Sequence, residues 1–389
     1  MIAREIAAKA LLLAEKFPIV VITGPRQSGK STLVKHLFAQ KTYVSLEDPD
    51  IRLFSETDPR GFLDNYPQGA ILDEVQRSPK LFSYLQGIVD AQNQEGMFIL
   101  SGSQNFLLLE NITQSLAGRA AILKLLPFST KELATTPFKD LTINELIFNG
   151  FYPRLYDKKI EPTDYYPNYI QTYLERDVKT LKNINDLNVF TRFLKLCAAR
   201  IGTVLNYSSL ANDCGVAVNT VKSWVSILEA SYVLYLLSPF YQNLGKRLIK
   251  SPKMYFYDTG LACSLLNIQS AQQVENHYLK GGLFENLVIS EILKHYYNEG
   301  RNAPCSFWQD QTGREIDLII ENTEGGVTAV EIKSGMTISS DYFKNLKYWK
   351  KLNPDSENAH SYVIYAGHLT LQTKDGTLLQ FSDLDKIER

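Results

Sequence analysis

The run Gly24-Pro25-Arg26-Gln27-Ser28-Gly29-Lys30-Ser31-Thr32 has the residue types and the spacing needed to hold a phosphate. It meets the pattern G-x-x-x-x-G-K-S/T in full, and it follows an apolar stretch, Ile19 to Ile22, that reads as a strand. Gly24 and Gly29 let the backbone take conformations that side chains resist, so successive N–H groups can turn toward phosphate oxygens. The helix expected from Thr32 to Phe38 adds the positive end of its dipole. In this pattern Lys30 reaches the β- and γ-phosphates, and the Ser31 hydroxyl is a ligand for Mg²⁺.

A second set of residues extends that chemistry. Asp73-Glu74 ends the apolar run Gly69 to Leu72. An aspartate at such a strand end can hold Mg²⁺ through water, and the adjacent glutamate can act as general base on an attacking water. A kinase for small molecules needs no glutamate there, so Glu74 favours hydrolysis. The same pair could instead cap a helix. Ser103, with Gln104 and Asn105, ends the next apolar run and could orient the water.

A third set lies far downstream. Arg314 to Ile320 alternates polar and apolar residues, as does the stretch from Val327 to Lys333. If the hairpin turns about residue 324, Asp317 stands opposite Glu331, with Cβ atoms about 5 Å apart. Lys333 projects from the same face. Two carboxylates and a lysine on one face repel and lose solvation unless a cation bridges them, and Mg²⁺ fits that role. Glu285 stands on a helix among Val288, Ile289, Ile292 and Tyr296, so it too needs a metal or a cationic partner, which Lys333 could be.

Elements must bring these groups together. Short apolar runs at residues 19–22, 42–46, 69–72, 97–100 and 120–125 alternate with helical stretches, as in a parallel sheet covered on both faces. Ligands of such sheets bind at the carboxyl ends of the strands, where the polar clusters fall. Residues 128–185 read as helical and aromatic. Arg154 and Arg176 could close over a nucleotide there, or could be ion-pair residues. Residues 186–260 read as helix, helix, a turn at Gly215, a helix from Val218 to Ala230 capped by Asn219 or Thr220, and two strands. That order is a winged helix-turn-helix. Lys222 is the lone cation of its presumed recognition helix, while Lys246, Arg247, Lys250 and Lys253 form a basic loop that could grip a nucleic-acid backbone. The expected units are 1–130, 131–185, 186–260 and 261–389.

Composition limits the rest. With 389 residues, 44% of them hydrophobic and 21% charged, the chain reads as two or three soluble domains. Its net charge of −1 leaves any DNA contact to local patches. Four scattered cysteines argue against a zinc site or a disulfide framework. There is no membrane-length apolar run and no secretory signal, so a cytoplasmic location is expected.

The phosphate loop, Ile71-Leu72-Asp73-Glu74 and Leu100-Ser101-Gly102-Ser103 resemble the AAA-type ATPases over roughly residues 1–130. The resemblance implies an α/β P-loop ATPase domain that binds ATP and ADP with Mg²⁺, with Ser103 or Gln104 as a γ-phosphate sensor. It also implies Arg119 as an arginine finger, in cis or toward a neighbour in a homo-oligomer. Glu285, Asp317 and Glu331-x-Lys333 resemble the PD-(D/E)XK nuclease family, although Ile316 rather than proline precedes Asp317. That likeness implies Asp317 and Glu331 as Mg²⁺ ligands, Glu285 as an assisting acid and Lys333 as a catalytic residue. The helix expected at 341–352 and the strand at 361–365 fit its second half. End to end, the chain resembles prokaryotic AAA-type ATPases with a nuclease-like C-terminal domain. The expected function is an ATPase governing a C-terminal half that acts on DNA. The rival is a nucleotide-dependent switch that binds a partner and cuts nothing.

Overall fold

The computed structural model describes residues 2–103, 115–174, 186–240, 251–322, 326–352 and 360–387. Gln104, Asn105, Arg176, Lys246, Arg247 and Lys250 lie outside them.

Five short strands form the N-terminal sheet: β1 (Ile19–Thr23), β2 (Thr42–Ser45), β3 (Ala70–Asp73), β4 (Phe98–Gly102) and β5 (Ala120–Lys124). All pair in parallel, in the order β2-β3-β4-β1-β5. The alternation of side chains along β1 explains why the sheet is covered twice. Ile19 and Val21 join the cluster built with Leu72, Leu81 and Phe98, while Val20 and Ile22 join Ile6, Leu33 and Val34 on the other face. β4 lies between β1 and β3, so the polar tip of β4 sits between the loop and the acid pair.

The phosphate loop joins β1 to the helix Lys30–Leu37. Gly24 could be no other residue: its φ is 151°, and a Cβ there would lie 2.1 Å from the Leu125 carbonyl oxygen. Gly29 precedes the helix in the left-handed region, at φ 93°.

From Leu126 to Ile387 one apolar core is continuous, so the central and C-terminal parts pack as one body. The helices Leu187–Ala198, Tyr207–Cys214 and Val218–Ala230 are followed by β6 (Leu234–Leu237) and β7 (Lys253–Phe256), which pair antiparallel. The cap of the third helix is Ala217, which makes no side-chain bond, rather than Asn219 or Thr220. The helices Thr259–Leu265 and Ala271–Asn276 pack on Ile143–Asn149. Buried Asp258 fixes that arrangement by accepting from Phe151 N (2.7 Å), Tyr166 O–H (2.7 Å) and Leu261 N (2.9 Å).

The C-terminal sheet is mixed, in the order β12-β13-β11-β10-β9-β8. Its strands are β8 (Cys305–Gln309), β9 (Glu315–Glu321), β10 (Val327–Lys333), β11 (His360–Tyr365), β12 (Leu371–Thr373) and β13 (Gly376–Gln380). The helix Lys280–Asn298 covers one face and Lys344–Leu352 the other. The first of these also reaches the N-terminal part. Glu291 accepts from Thr130 N and Oγ1, both at 2.7 Å, Lys294 Nζ donates to the Phe128 carbonyl (2.8 Å), and Asn298 donates to Glu5 (3.2 Å). No described helix is long and apolar enough to cross a membrane.

Candidate functional site

The residues expected at the phosphate loop converge on a cavity of about 590 Å³, whose wall includes Lys30, Ser31, Glu74, Phe128, Pro153 and Arg154. Lys30 is buried, and its ammonium donates to the Gly24 (3.0 Å) and Pro25 (2.7 Å) carbonyls. Burial pushes its pKa down to about 8, against the charges of Glu74 and Asp73, which pull it up. Ser28 is fully buried and its hydroxyl has no partner, leaving one unused polar group in the cradle.

The acid pair is held by neighbours from two strands, β2 and β4, and from the helix after the phosphate loop. Asp73 Oδ2 accepts from Ser31 Oγ (2.7 Å) and Tyr43 O–H (2.6 Å), and Oδ1 accepts from Ser101 Oγ (2.5 Å). Glu74 takes the left-handed backbone region, at φ 55°, which turns it off the strand and into the cavity wall. Its Oε2 accepts from Ser103 Oγ (3.1 Å) and from Gln76 Nε2 (2.5 Å). The Ser31 hydroxyl and the Asp73 carboxylate, already in contact, are hard oxygen donors of the kind that Mg²⁺ takes.

Arg119 stands elsewhere. It precedes β5, at the sheet edge opposite the loop, and its guanidinium grips Asp90 through two bonds of 2.6 and 2.8 Å. A finger in cis is ruled out by that placement, because parallel strands put the loop and Arg119 at opposite ends. Arg154 does line the cavity beside the phosphate loop.

Arg4 was missed altogether. Buried against Phe128, it donates to Glu132 (3.0 Å), to the Ser28 carbonyl (2.8 Å) and to the Leu126 carbonyl (2.6 Å), so it ties the phosphate loop to the strand exit after β5. Its only trace in the sequence is one charge among several, with Glu5 and Lys9, at the start of an Ala/Leu-rich stretch.

At the C-terminal centre, β9 and β10 pair from Val327 opposite Glu321 to Val330 opposite Leu318, which makes Glu331 and Asp317 the next pair. There the ladder gives way, and Asp317 Oδ2 accepts from Ile332 N (2.7 Å). Lys333 is bonded to Glu331 and lies 3.7 Å from Asp317. Glu285 meets a different lysine from the one expected. Lys253 Nζ lies 3.2 Å from Glu285 and 3.3 Å from Glu315, and Tyr255 O–H donates to Glu285 (2.5 Å). Lys253 is therefore a buried strand residue and not part of a basic surface loop. Burial raises the Glu285 and Glu331 carboxyls above the usual range, and the charge of Asp317 adds to that, while Lys253 and Lys333 oppose it. Among the described residues, no three His, Cys, Asp or Glu side chains are grouped to hold a metal ion.

Residues 16–134 match the family model of an AAA domain. This part of the chain is thus similar to AAA-type P-loop ATPases, as the loop and the acid pair implied. Residues 140–272 and 280–384 match two models, each described as a domain of unknown function (DUF8612 and DUF4143). An uncharacterized protein of Mycobacterium tuberculosis is 28% identical over 338 residues, covering 86% of this chain and 75% of its own. One from Methanocaldococcus jannaschii is 23% identical over 363 residues, covering 82% and 78%. Among solved structures, a Walker-type ATPase of Pyrococcus abyssi aligns with 68% of this chain and 96% of its own, at 16% identity and a TM-score of 0.43. AMPPCP-bound DnaA from Aquifex aeolicus aligns with 58% and 86%, at 15% identity and a TM-score of 0.31.

Proposed function

We propose that this chain is a Mg²⁺-dependent ATPase whose nucleotide state governs the C-terminal acid centre, with DNA as the molecule the C-terminal half acts on. One observation carries the ATPase reading: Lys30, Ser31 and Glu74 line one cavity, with Asp73 bonded to Ser31 behind it. Bound Mg²⁺ would neutralise phosphate charge, held by Ser31 with Asp73 through water. Lys30 would exchange its two loop carbonyls for β- and γ-phosphate oxygens. Glu74 would take the proton of the attacking water, with Ser103 fixing the position of its carboxylate.

Control of the C-terminal half is supported by contacts that leave the loop. Tyr165 O–H donates to Gln27 Oε1 (2.8 Å), and Tyr232 O–H donates to Thr23 Oγ1 at the end of β1 (3.3 Å). The helix Lys280–Asn298 carries Glu285 near one end and the contacts to Thr130 and Glu5 toward the other. The placement of Lys333 against Glu331 and Asp317, with Glu285 on the helix that covers that sheet, supports the nuclease-type reading, with the winged-helix order of elements as the DNA contact. The non-cutting switch is favoured by a separate observation, the two lysines that already neutralise those acids.

Glu74→Gln should lower ATP turnover about 100-fold or more while leaving ATP bound. Lys30→Ala should abolish binding, and unchanged turnover in either variant defeats the ATPase reading. Plasmid cutting with Mg²⁺ or Mn²⁺, present in the wild type and absent in Asp317→Ala, decides between nuclease and switch.

A further inference from the structure

The C-terminal centre sets four carboxylates, Glu285, Glu315, Asp317 and Glu331, against two ammonium groups. Lys333 belongs to the same strand as Glu331. Lys253 is foreign to the C-terminal sheet, entering from β7 of the central ribbon with only 2% of its side chain exposed. The backbone holds β7 in place from both sides. It pairs with β6, and the loop after the helix Leu187–Ala198 bonds it through Gly202 N to Met254 O (2.9 Å) and Met254 N to Thr203 O (3.1 Å). Tyr255, on the same face of β7, delivers a second donor to Glu285. The Lys253 ammonium thus sits between Glu285 and Glu315, where acids of this type would otherwise share a cation.

The donor chemistry suits a hard divalent ion, and the arrangement does not: each acid is turned to a lysine, a backbone N–H or Asn345, and no three described acids face a common point. Three carboxylates of a nuclease-type centre that point at ammonium groups are in the wrong positions to be ligands together.

We propose that Lys253 is a built-in cation that keeps divalent metal out of the acid centre for as long as β7 stays seated. The inference rests on the nuclease-type reading of the centre and adds its regulation: the ammonium of Lys253 holds the place between Glu285 and Glu315 that a divalent ion would need. The ribbon follows Tyr232, whose hydroxyl donates to Thr23 at the end of β1 (3.3 Å), next to the phosphate loop.

The test uses the full chain without nucleotide and Mn²⁺ as the probe, with free Mn²⁺ followed by electron paramagnetic resonance. In the wild type, Asp317→Asn should leave the number of bound Mn²⁺ ions unchanged. Lys253→Met should gain one Mn²⁺ per chain, bound about tenfold or more tightly than any C-terminal binding in the wild type, and Lys253→Met/Asp317→Asn should lose it. Lys253→Arg keeps the charge and should gain none. Circular dichroism in EDTA verifies the fold of each variant, with Lys253→Gln read in place of Lys253→Met if the latter unfolds. A wild-type Mn²⁺ site removed by Asp317→Asn overturns the proposal by itself, and so does a folded Lys253→Met that gains none. DNA cutting and ATP turnover play no part in this readout, so failure of the nuclease or ATPase reading would show separately.

Discussion

Replacing Arg4 by Met should unseat the phosphate loop from a distance. The Arg4–Glu132 pair is buried, with side chains 5% and 1% exposed. Breaking one side of such a pair leaves an uncompensated charge and costs about 3–5 kcal/mol. The Ser28 and Leu126 carbonyls also lose their donor, which places the sum near the upper end of that range. For a cooperative unit of this size the loss corresponds to a fall in Tm of about 10 °C. The pair itself is isolated by a double-mutant cycle with Glu132→Gln, which removes the buried charge and keeps one oxygen for Glu5 N or Ser129 N, the amide N–H₂ facing the other donor. The double variant should recover about half of the loss, in urea or thermal melts followed by circular dichroism. Titration with a fluorescent ADP analogue should show nucleotide affinity down about tenfold in Arg4→Met, because Ser28 O is no longer anchored. Coupling in the cycle below about 0.5 kcal/mol would refute the reasoning, and so would unchanged nucleotide affinity.

Other expectations follow from single contacts. With its pKa lowered to about 8, the free Lys30 amine is mostly neutral at pH 8.5, and triphosphate charge restores the ammonium. ATP binding should therefore take up a proton at pH 8.5, seen by calorimetry in buffers of different ionisation enthalpy, and should weaken as pH rises; uptake near zero contradicts it. The same shift has a sign for folding. The unfolded chain binds this proton more strongly, so the Lys30 contribution grows more favourable as pH rises from about 8 toward 10.5. Asp258→Asn turns an amide N–H₂ toward backbone donors and should lower stability by about 1–3 kcal/mol in urea melts. Arg119→Ala should leave the ATP turnover of the dilute chain unchanged, because Arg119 faces Asp90 and not the cavity.

The local chemistry was legible in the chain because it is written at short range. A glycine-bounded loop between strand and helix needs contiguous residues, and Asp73-Glu74 had to end a strand for its charges to reach water. Alternation along residues 314–333 likewise placed Asp317 against Glu331, since a hairpin's register follows from its turn and its buried face. The identity of the partners was not legible. Nothing local says that Ser101 and Tyr43 would bind Asp73, because strand order is a property of the whole sheet. Lys253 read as surface charge beside Lys246, Arg247 and Lys250, and Arg119 as an arginine finger. Only the packing of β7 against the acid centre, and the parallel sense of β1 and β5, decided where those two charges stand. A charge's neighbours across 32 or 62 residues are set by tertiary contacts, and these follow from summed burial of apolar surface rather than from any spacing near the residue itself.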